Sequence, residues 1–331
     1  MSNVVAAGLL LGVLAYALFG GADFGAGFWD LTAGGATRGE RQRALIDHSL
    51  GPVWEANHTW LIYCLVVFWS GFPRPFAAIS TTLYLPLGLA VLGIVLRGSG
   101  FAFRKVVATT STRRLNGAAF AASSVITPFF LGAAGGGIAS GRVPLAGHGD
   151  PVSSWLNPTS LLAGLLAVAV CAYLAAVFLT VDARHEQDED LERWFHRRAW
   201  GSAWVTGALS LAGLVVVHAD ARRVFDRLFG PALPAAAVSV LAGGAALLLL
   251  RRGKPRLVRA LAGLAVAALV IGWGTAQYPY LLGTSGRVQV TAAPESSLVA
   301  IVVVFVAAAL LVAPSMALLY SLQQRGRLQG E

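Results

Sequence analysis

Residues 158–181 read PTSLLAGLLAVAVCAYLAAVFLTV and contain no charged side chain over 24 positions. A helix of about 20 apolar residues is long enough to cross the hydrocarbon layer of a lipid bilayer, which is about 30 Å thick. In that layer, the backbone of a single segment satisfies its own hydrogen bonds only as a helix. The stretch therefore predicts a transmembrane α-helix.

The same pattern recurs along the whole chain. The predicted fold class is all-α, a polytopic membrane protein with nine transmembrane helices in bundles. The loops are short, so we expect a single integral membrane domain over residues 1–331. The predicted spans are 4–29, 53–72, 76–97, 117–139, 158–181, 199–219, 232–250, 257–280 and 296–322.

The composition and charge agree with a membrane protein. Hydrophobic residues make up 56% of the chain and charged residues 12%, where a soluble domain carries about 25% charged residues. These values exclude a water-soluble enzyme and a disordered chain. The net charge of +9 does not predict a nucleic-acid partner, because the basic residues lie between apolar segments, where they fix topology.

The basic residues are unevenly distributed between the two sides of the predicted membrane. The loops after odd-numbered spans and the C-terminal tail hold 19 of the 25 Lys and Arg residues, with Arg97 assigned to such a loop. Because Lys and Arg collect on the cytoplasmic side, we expect the N-terminus outside and the C-terminus in the cytoplasm.

An acidic residue lies inside the first predicted span. Asp23 belongs to the sequence GGADFGAG at 20–27. Gly21 and Gly25 are four residues apart, a spacing that lets two helices approach closely. Packing does not require a carboxylate, and an ionisable group in a membrane is a functional candidate by default. Asp23 is therefore a candidate for proton transfer.

A second acidic residue begins the second span, in the sequence GPVWEANHTW at 51–60. His58 and Thr59 follow Glu55 by three and four residues, so all three share one helical face. A carboxylate, an imidazole and a hydroxyl can pass a proton along. The alternative is that Glu55 only favours the positive end of the helix dipole.

The sequence predicts no metal or haem ligands in this chain. Cys64 and Cys171 each lie alone in an apolar segment, where cysteine usually packs as a small hydrophobic residue. His58 and His218 are the only histidines in or at the edge of a predicted span. A protein that ligates several haems would carry more buried His or Met.

At these motifs the chain resembles subunit II of the cytochrome bd-type quinol oxidases. The resemblance rests on GADFGAG at 21–27 and on PVWEANHTWLI at 52–62, with weaker support from RGSGFAFR at 97–104 and from Tyr278-Pro279. Asp23 and Glu55 match the family's acidic positions, although Asp is more common at the second. The remaining motif positions that match are Gly21, Gly25, Gly27, Trp54, Asn57 and Trp60.

The resemblance implies a function in a respiratory complex of the bacterial cytoplasmic membrane. The family pairs a haem-free subunit II with a haem-bearing subunit I as a heterodimer, and a small single-span accessory subunit is sometimes present. Subunit I holds haems b and d, oxidises quinol and reduces O2 to water. In the family, subunit II serves assembly, and is thought to offer a proton route and sometimes a structural quinone or lipid site.

The sequence also departs from the family pattern. Gly20, Gly21 and Ala102 stand where relatives often have acidic residues, so a complete acidic path is not expected. Two other interpretations remain at this point. One is a secondary transporter with an intramembrane Asp/Glu ion site, and the other is a purely structural membrane partner.

Overall fold

The structure is a computed structural model composed almost entirely of helices. Its backbone is described for residues 1–35, 37–50, 54–104, 110–146, 148–250, 255–283 and 286–324. Within these ranges, side chains are described except at 50, 54–56, 101–104, 110–116, 118, 255, 312–313, 316–317 and 319–324.

The first long helix contains an irregular turn in its middle. Helix α1 (Ser2–Ala15) leads into a π-helical turn (Tyr16–Gly20) and then into α2 (Gly21–Leu31). An extra residue in a helical turn rotates the face that follows by about 100°. Accordingly, α1 packs against helix α4 (Trp54–Gly71), whereas α2 packs against two other helices further along the chain.

The remaining elements are helices and one short hairpin. The hairpin pairs β1 (Tyr280–Leu282) with β2 (Gly286–Arg287) in antiparallel fashion. The other helices are α3 (Glu40–Leu50), α5 (Pro73–Thr82), α6 (Tyr84–Arg104), α7 (Thr110–Ala139), α8 (Pro158–His185), α9 (Glu189–Asp220), α10 (Arg222–Leu228), α11 (Leu233–Leu250), α12 (Pro255–Gln277), α13 (Val288–Thr291) and α14 (Glu295–Gln324).

Among the described residues, six helices are long and apolar enough to cross a membrane. A seventh span results if the bent pair Asn57–Gly71 and Pro73–Thr82 is counted as one. The prediction of an all-α polytopic membrane protein is confirmed at this level. The six are Ser2–Leu31, Ala119–Ala139, Pro158–His185, Glu189–Asp220, Leu233–Leu250 and Arg256–Gln277.

The third predicted span, 76–97, is wrong as a single helix. The chain bends by 118° between α4 and α5 and breaks again at Leu83, between α5 and α6. Pro73 is the first residue of α5. A backbone N–H at that position has no hydrogen-bond partner within the helix, so proline loses no hydrogen bond there. Pro86 lies two residues into α6, and its ring disfavours a helical hydrogen bond to the carbonyl of Thr82. The second break therefore falls just before Pro86.

Two arginines lie inside helices of the bundle. Arg97 belongs to α6 and Arg259 to α12. Arg97 has no exposed surface, so the prediction that it is a cytoplasmic loop residue is wrong. Arg259 donates hydrogen bonds to the carbonyl of Phe178 and to Asp182. Both side chains have acidic partners on other helices, and those partners explain how a charge is accommodated within a helix bundle.

The largest apolar core forms where α2, α8, α9 and α12 meet. Leu174 and Val177 of α8, Phe195 of α9 and Val258 of α12 are all at most 1% exposed there. Helix α2 lies against α7 as well as α8, and α7 in turn packs on α6. This arrangement brings the C-terminal half of the first long helix to the centre of the molecule.

Candidate functional site

Asp23 and Arg97 form a buried ion pair between α2 and α6. The Asp23 side chain is 2% exposed and that of Arg97 1%. Arg97 Nη2 lies 2.6 Å from Asp23 Oδ1, and Arg97 Nε lies 3.2 Å from Oδ2. Arg97 Nη2 also donates to the backbone carbonyl of Asp23 at 2.9 Å. Both carboxylate oxygens are therefore occupied by one guanidinium, in the bidentate geometry that arginine favours.

A third helix completes the surroundings of Arg97. Its Nη1 donates to Ser124 Oγ of α7 at 2.5 Å, and Ser124 Oγ donates to the carbonyl of Phe120 at 2.8 Å. The guanidinium carbon lies 4.9 Å from the centroid of the Phe24 ring and 4.3 Å from that of Phe120. Aromatic faces attract a cation in this way. The site therefore joins α2, α6 and α7 by polar contacts inside an apolar bundle.

The glycines of the first motif allow these helices to approach so closely. A Cβ placed on Gly27 would lie 2.0 Å from Ser124 Oγ and 3.0 Å from Arg97 Nη1. A Cβ on Gly25 would lie 1.8 Å from the backbone oxygen of Cys171 in α8. Gly21 is less constrained, since the nearest atom to its Cβ would be Cys171 Sγ at 3.5 Å.

Tyr16 lies at the π-helical turn just before the ion pair. Its ring packs against Gly20 and makes an edge contact with Phe24, with 6.3 Å between the ring centroids. Its hydroxyl is buried and has no hydrogen-bond partner among the described residues. A π-turn inside an α-helix is frequently found at a functional site. Here it ends three residues before Asp23, the partner of Arg97 in α6.

The candidates on α4 are only partly described. The side chains of Trp54 and Glu55 lie outside the described residues. Asn57 is 5% exposed, whereas Thr59 is on the exposed surface of this chain. His58 and Trp60 are intermediate. The described hydrogen bonds of Asp23 come from Arg97 of α6, and none of them involves Thr59.

A second buried carboxylate lies one helical turn beyond Gly27. Asp30 is 5% exposed, and its Oδ1 accepts a hydrogen bond from Arg43 Nε at 2.7 Å. Arg43 also donates to the carbonyls of Gly34 and Gly35, which lie in the turn between α2 and α3. This pair fixes the turn that follows the first long helix.

Sequence reasoning missed Arg97, Ser124 and Asp30 as site residues. A signal for Arg97 was present: residues 84–96 before it and 98–103 after it carry no charge. An arginine between two apolar runs, together with an unpaired acid in another apolar segment, predicts a buried pair. Ser124 carries no comparable signal, because Ser is common in transmembrane helices.

The described residues contain no group of three or more His, Cys, Asp or Glu side chains that could hold a metal ion. Cys64 and Cys171 are both free thiols. The chemistry that the described site offers is therefore a fixed pair of opposite charges with hydroxyl neighbours, in a region from which water is largely excluded.

Comparison with known proteins places this geometry in a family. The bd oxidase from Geobacillus thermodenitrificans superposes with a TM-score of 0.80 at 25% identity, covering 97% of this chain and 98% of that one. Subunit 2 of the cytochrome bd ubiquinol oxidase of Bacillus subtilis (strain 168) is 28% identical over 178 residues, which are 51% of this chain and 52% of that protein.

A similar match is found with subunit 2 of the cytochrome bd-I ubiquinol oxidase of Escherichia coli (strain K12), 27% identical over 182 residues, 52% of this chain and 46% of that protein. The chain thus spans about half the length of these curated relatives. The family model described as cytochrome bd terminal oxidase subunit II matches residues 1–323. The resemblance noted in the sequence is confirmed, and the chain belongs to the cytochrome bd terminal oxidase subunit II family.

Proposed function

We propose that this chain is the haem-free subunit II of a bd-type quinol oxidase in a bacterial cytoplasmic membrane. It pairs with a haem-bearing subunit I, in a complex that oxidises quinol and reduces O2 to water. The observation that carries this proposal is the superposition on a bd oxidase chain over nearly the full length of both chains. The nine predicted spans, with the N-terminus outside, are part of the same proposal.

Purification of the complex tests this function directly. We expect affinity-tagged chain, extracted from its native membrane, to retain a second subunit and to show the absorbance of d-type haem. The same chain expressed without its partner should be colourless. A colourless but stable and complete preparation from the native membrane would contradict the assignment.

The ion pair supports a scaffold role for Asp23. Arginine does not lose its proton in proteins, so protonation of Asp23 would leave a buried, uncompensated cation. Such a state is costly, so the geometry of the pair favours a structural role for Asp23 over proton transfer. We propose that Asp23 and Arg97 hold α2, α6 and α7 in register and set the local electrostatic field.

The same geometry argues against the transporter interpretation. Both carboxylate oxygens of Asp23 accept hydrogen bonds from Arg97, which leaves fewer lone pairs for a cation. A transported cation would also have to lie beside the positive guanidinium. The scaffold role fits the occupied carboxylate better.

We assign the proton-carrying role to the α4 candidates Glu55, His58 and Thr59. They lie at the start of α4, on the side that the basic residues predict to be cytoplasmic. A carboxylate there can accept a proton from water and pass it to an imidazole or a hydroxyl. Protons consumed in O2 reduction would thereby enter from the cytoplasm.

Substitution of Glu55 tests the proton route. We expect Glu55→Gln to lower quinol oxidase turnover by roughly a hundredfold or more, the order by which a proton-transferring group contributes. The haem spectrum and the yield of the complex should stay unchanged. Glu295 in the first turn of α14 is an exposed glutamate, so Glu295→Gln is the matched control. Full turnover in Glu55→Gln membranes would remove Glu55 from the route.

A further inference from the structure

Three arginines converge at one end of the molecule, where α10 meets α12 and the hairpin. Arg223 and Arg227 belong to α10 and Arg287 to β2; we call these three the arginine cluster. Arg223 and Arg287 lie over the ring of Tyr280, with their guanidinium carbons 5.2 and 5.4 Å from its centroid. Arg227 Nε donates to the carbonyl of Ala276 at 3.0 Å.

The described contacts of the arginine cluster are with neutral groups. Arg223 donates to the carbonyl of Gly283 and, at 3.3 Å, to Gln277 Oε1. Arg287 donates to the hydroxyl of Tyr280 at 3.2 and 3.3 Å. Within the described part of the chain, no carboxylate forms an ion pair with any of the three. The cluster therefore carries an excess of positive charge.

The carboxylate within α10 and the one just before it are already paired with other arginines. Asp220 accepts hydrogen bonds from Arg142 at 2.5 and 3.0 Å and from Thr159 at 2.5 Å. Asp226 pairs with the exposed Arg222 at 3.0 Å. Neither is free to balance Arg223, whose pKa is lowered by partial burial and by the charge of Arg227.

A buried amide adds a further donor to the cluster. Gln277 is 6% exposed, and while its Oε1 accepts from Arg223, its Nε2 has no hydrogen-bond partner among the described residues. A buried donor without an acceptor costs about 1–3 kcal/mol. The three guanidinium groups have neutral acceptors but no anionic partner among the described residues, and the amide N–H of Gln277 has no acceptor there. This is the chemistry that a phosphate group complements.

The position of the arginine cluster identifies the source of that phosphate. Helices α9 and α12 are candidate membrane spans that end at Asp220 and Gln277, so the cluster lies at the end of two spans. Tyr278 is 44% exposed and Phe229 51% exposed beside it. Exposed aromatic residues at helix ends mark the level of lipid headgroups, where the phosphates of a bilayer lie.

We propose that the arginine cluster, with Gln277 and Tyr280, is a binding site for the phosphate of an anionic phospholipid. The guanidinium groups of Arg223, Arg227 and Arg287 contact the phosphate oxygens, and the Tyr280 ring holds two of those groups in place. The acyl chains of the lipid lie along the apolar surface of α9 or α11, where Val215 is 72% and Leu233 47% exposed. This site is independent of the proton route and of the Asp23–Arg97 pair.

Lipid-dependent stability of the purified complex tests the site. The complex is delipidated in a neutral detergent, and its thermal unfolding midpoint is followed during titration with phosphatidylglycerol, phosphatidylcholine or inorganic phosphate. We expect the wild type to be stabilised by phosphatidylglycerol alone. The double variant Arg223→Gln/Arg227→Gln should bind this lipid at least about tenfold more weakly, because it loses two charged hydrogen-bond donors.

Arg222→Gln is the matched control, because Arg222 belongs to the same helix but is exposed and paired with Asp226. It should respond to phosphatidylglycerol like the wild type. If the double variant fails to fold, Arg287→Gln, at an exposed position, should show the same weakening.

Three results would overturn the proposal. The first is an equal response of wild type and cluster variants to phosphatidylglycerol. The second is full stabilisation by inorganic phosphate, which would indicate a free anion as the ligand. The third is loss of the partner subunit from the cluster variants with unchanged lipid binding, which would assign these arginines to acidic side chains of the partner.

Discussion

Replacement of Arg97 by Gln is expected to prevent accumulation of the assembled complex. The substitution leaves the Asp23 carboxyl group, 1% exposed, without its counter-charge at the centre of the bundle. Removal of one partner from a buried ion pair costs about 3–5 kcal/mol, a large part of the roughly 5–15 kcal/mol that stabilises a typical folded protein. Asp23→Asn should have a similar effect, because it leaves the Arg97 cation unpaired. The measurement is the yield of complex and its haem content per membrane protein.

The double variant Asp23→Asn/Arg97→Gln separates the two roles of the pair. It contains no unpaired buried charge, so we expect it to recover part of the yield lost in each single variant. Recovery of yield and turnover together would support the scaffold role. Recovery of yield with turnover still low would show that the pair takes part in proton transfer, against our assignment.

An exposed ion pair provides the control for this experiment. Arg41 Nη2 lies 2.6 Å from Asp188 Oδ2, and the Arg41 side chain is 61% exposed. Surface pairs contribute little to stability, because water screens them and their long side chains lose freedom. Arg41→Gln should therefore leave the yield unchanged. Normal yield in Arg97→Gln as well would show that the buried pair does not stabilise the bundle.

The apolar segments could be predicted from the sequence because membrane helices need long uncharged runs. Residues 158–181 lie within α8, and the predicted segment 4–29 lies within the continuous helix from Ser2 to Leu31. The charged segment after 181 also continues as helix to His185 before Asp188 caps α9. Hydrophobicity therefore located the helices, but it did not fix where each helix bends.

The bends and the ion pair depend on information that a single segment does not carry. The π-helical turn at Tyr16–Gly20 occurs in an apolar stretch whose sequence predicts an ordinary α-helix. Arg97 was assigned to a loop because a charge at the end of an apolar run usually marks the membrane surface. Only the meeting of α2, α6 and α7 places Asp23 beside it. The composition of the site therefore depends on contacts between helices that are distant in the sequence.

Alanine at Gly25 is the other substitution with a large expected effect. Its Cβ would lie 1.8 Å from the carbonyl oxygen of Cys171, 2.3 Å from the carbonyl carbon and 2.8 Å from Ala175 Cβ. The first two atoms belong to the backbone of α8 and cannot rotate away, so α2 and α8 would have to separate. Overpacking of a core costs about 1–3 kcal/mol, sometimes more. We expect a strongly reduced yield and a lowered thermal midpoint of the complex.

Gly21→Ala is the matched control for this clash, one helical turn away on the same helix. Its Cβ would meet Cys171 Sγ at 3.5 Å and Leu174 Cδ1 at 3.6 Å, both ordinary contacts. Alanine also favours a helix over glycine by about 1 kcal/mol, so this variant should be as stable as the wild type or slightly more so. Equal losses in both variants would show that glycine is needed for backbone freedom and not for close approach. If both variants are as stable as the wild type, α2 and α8 do not approach as closely as the 1.8 Å distance at Gly25 indicates.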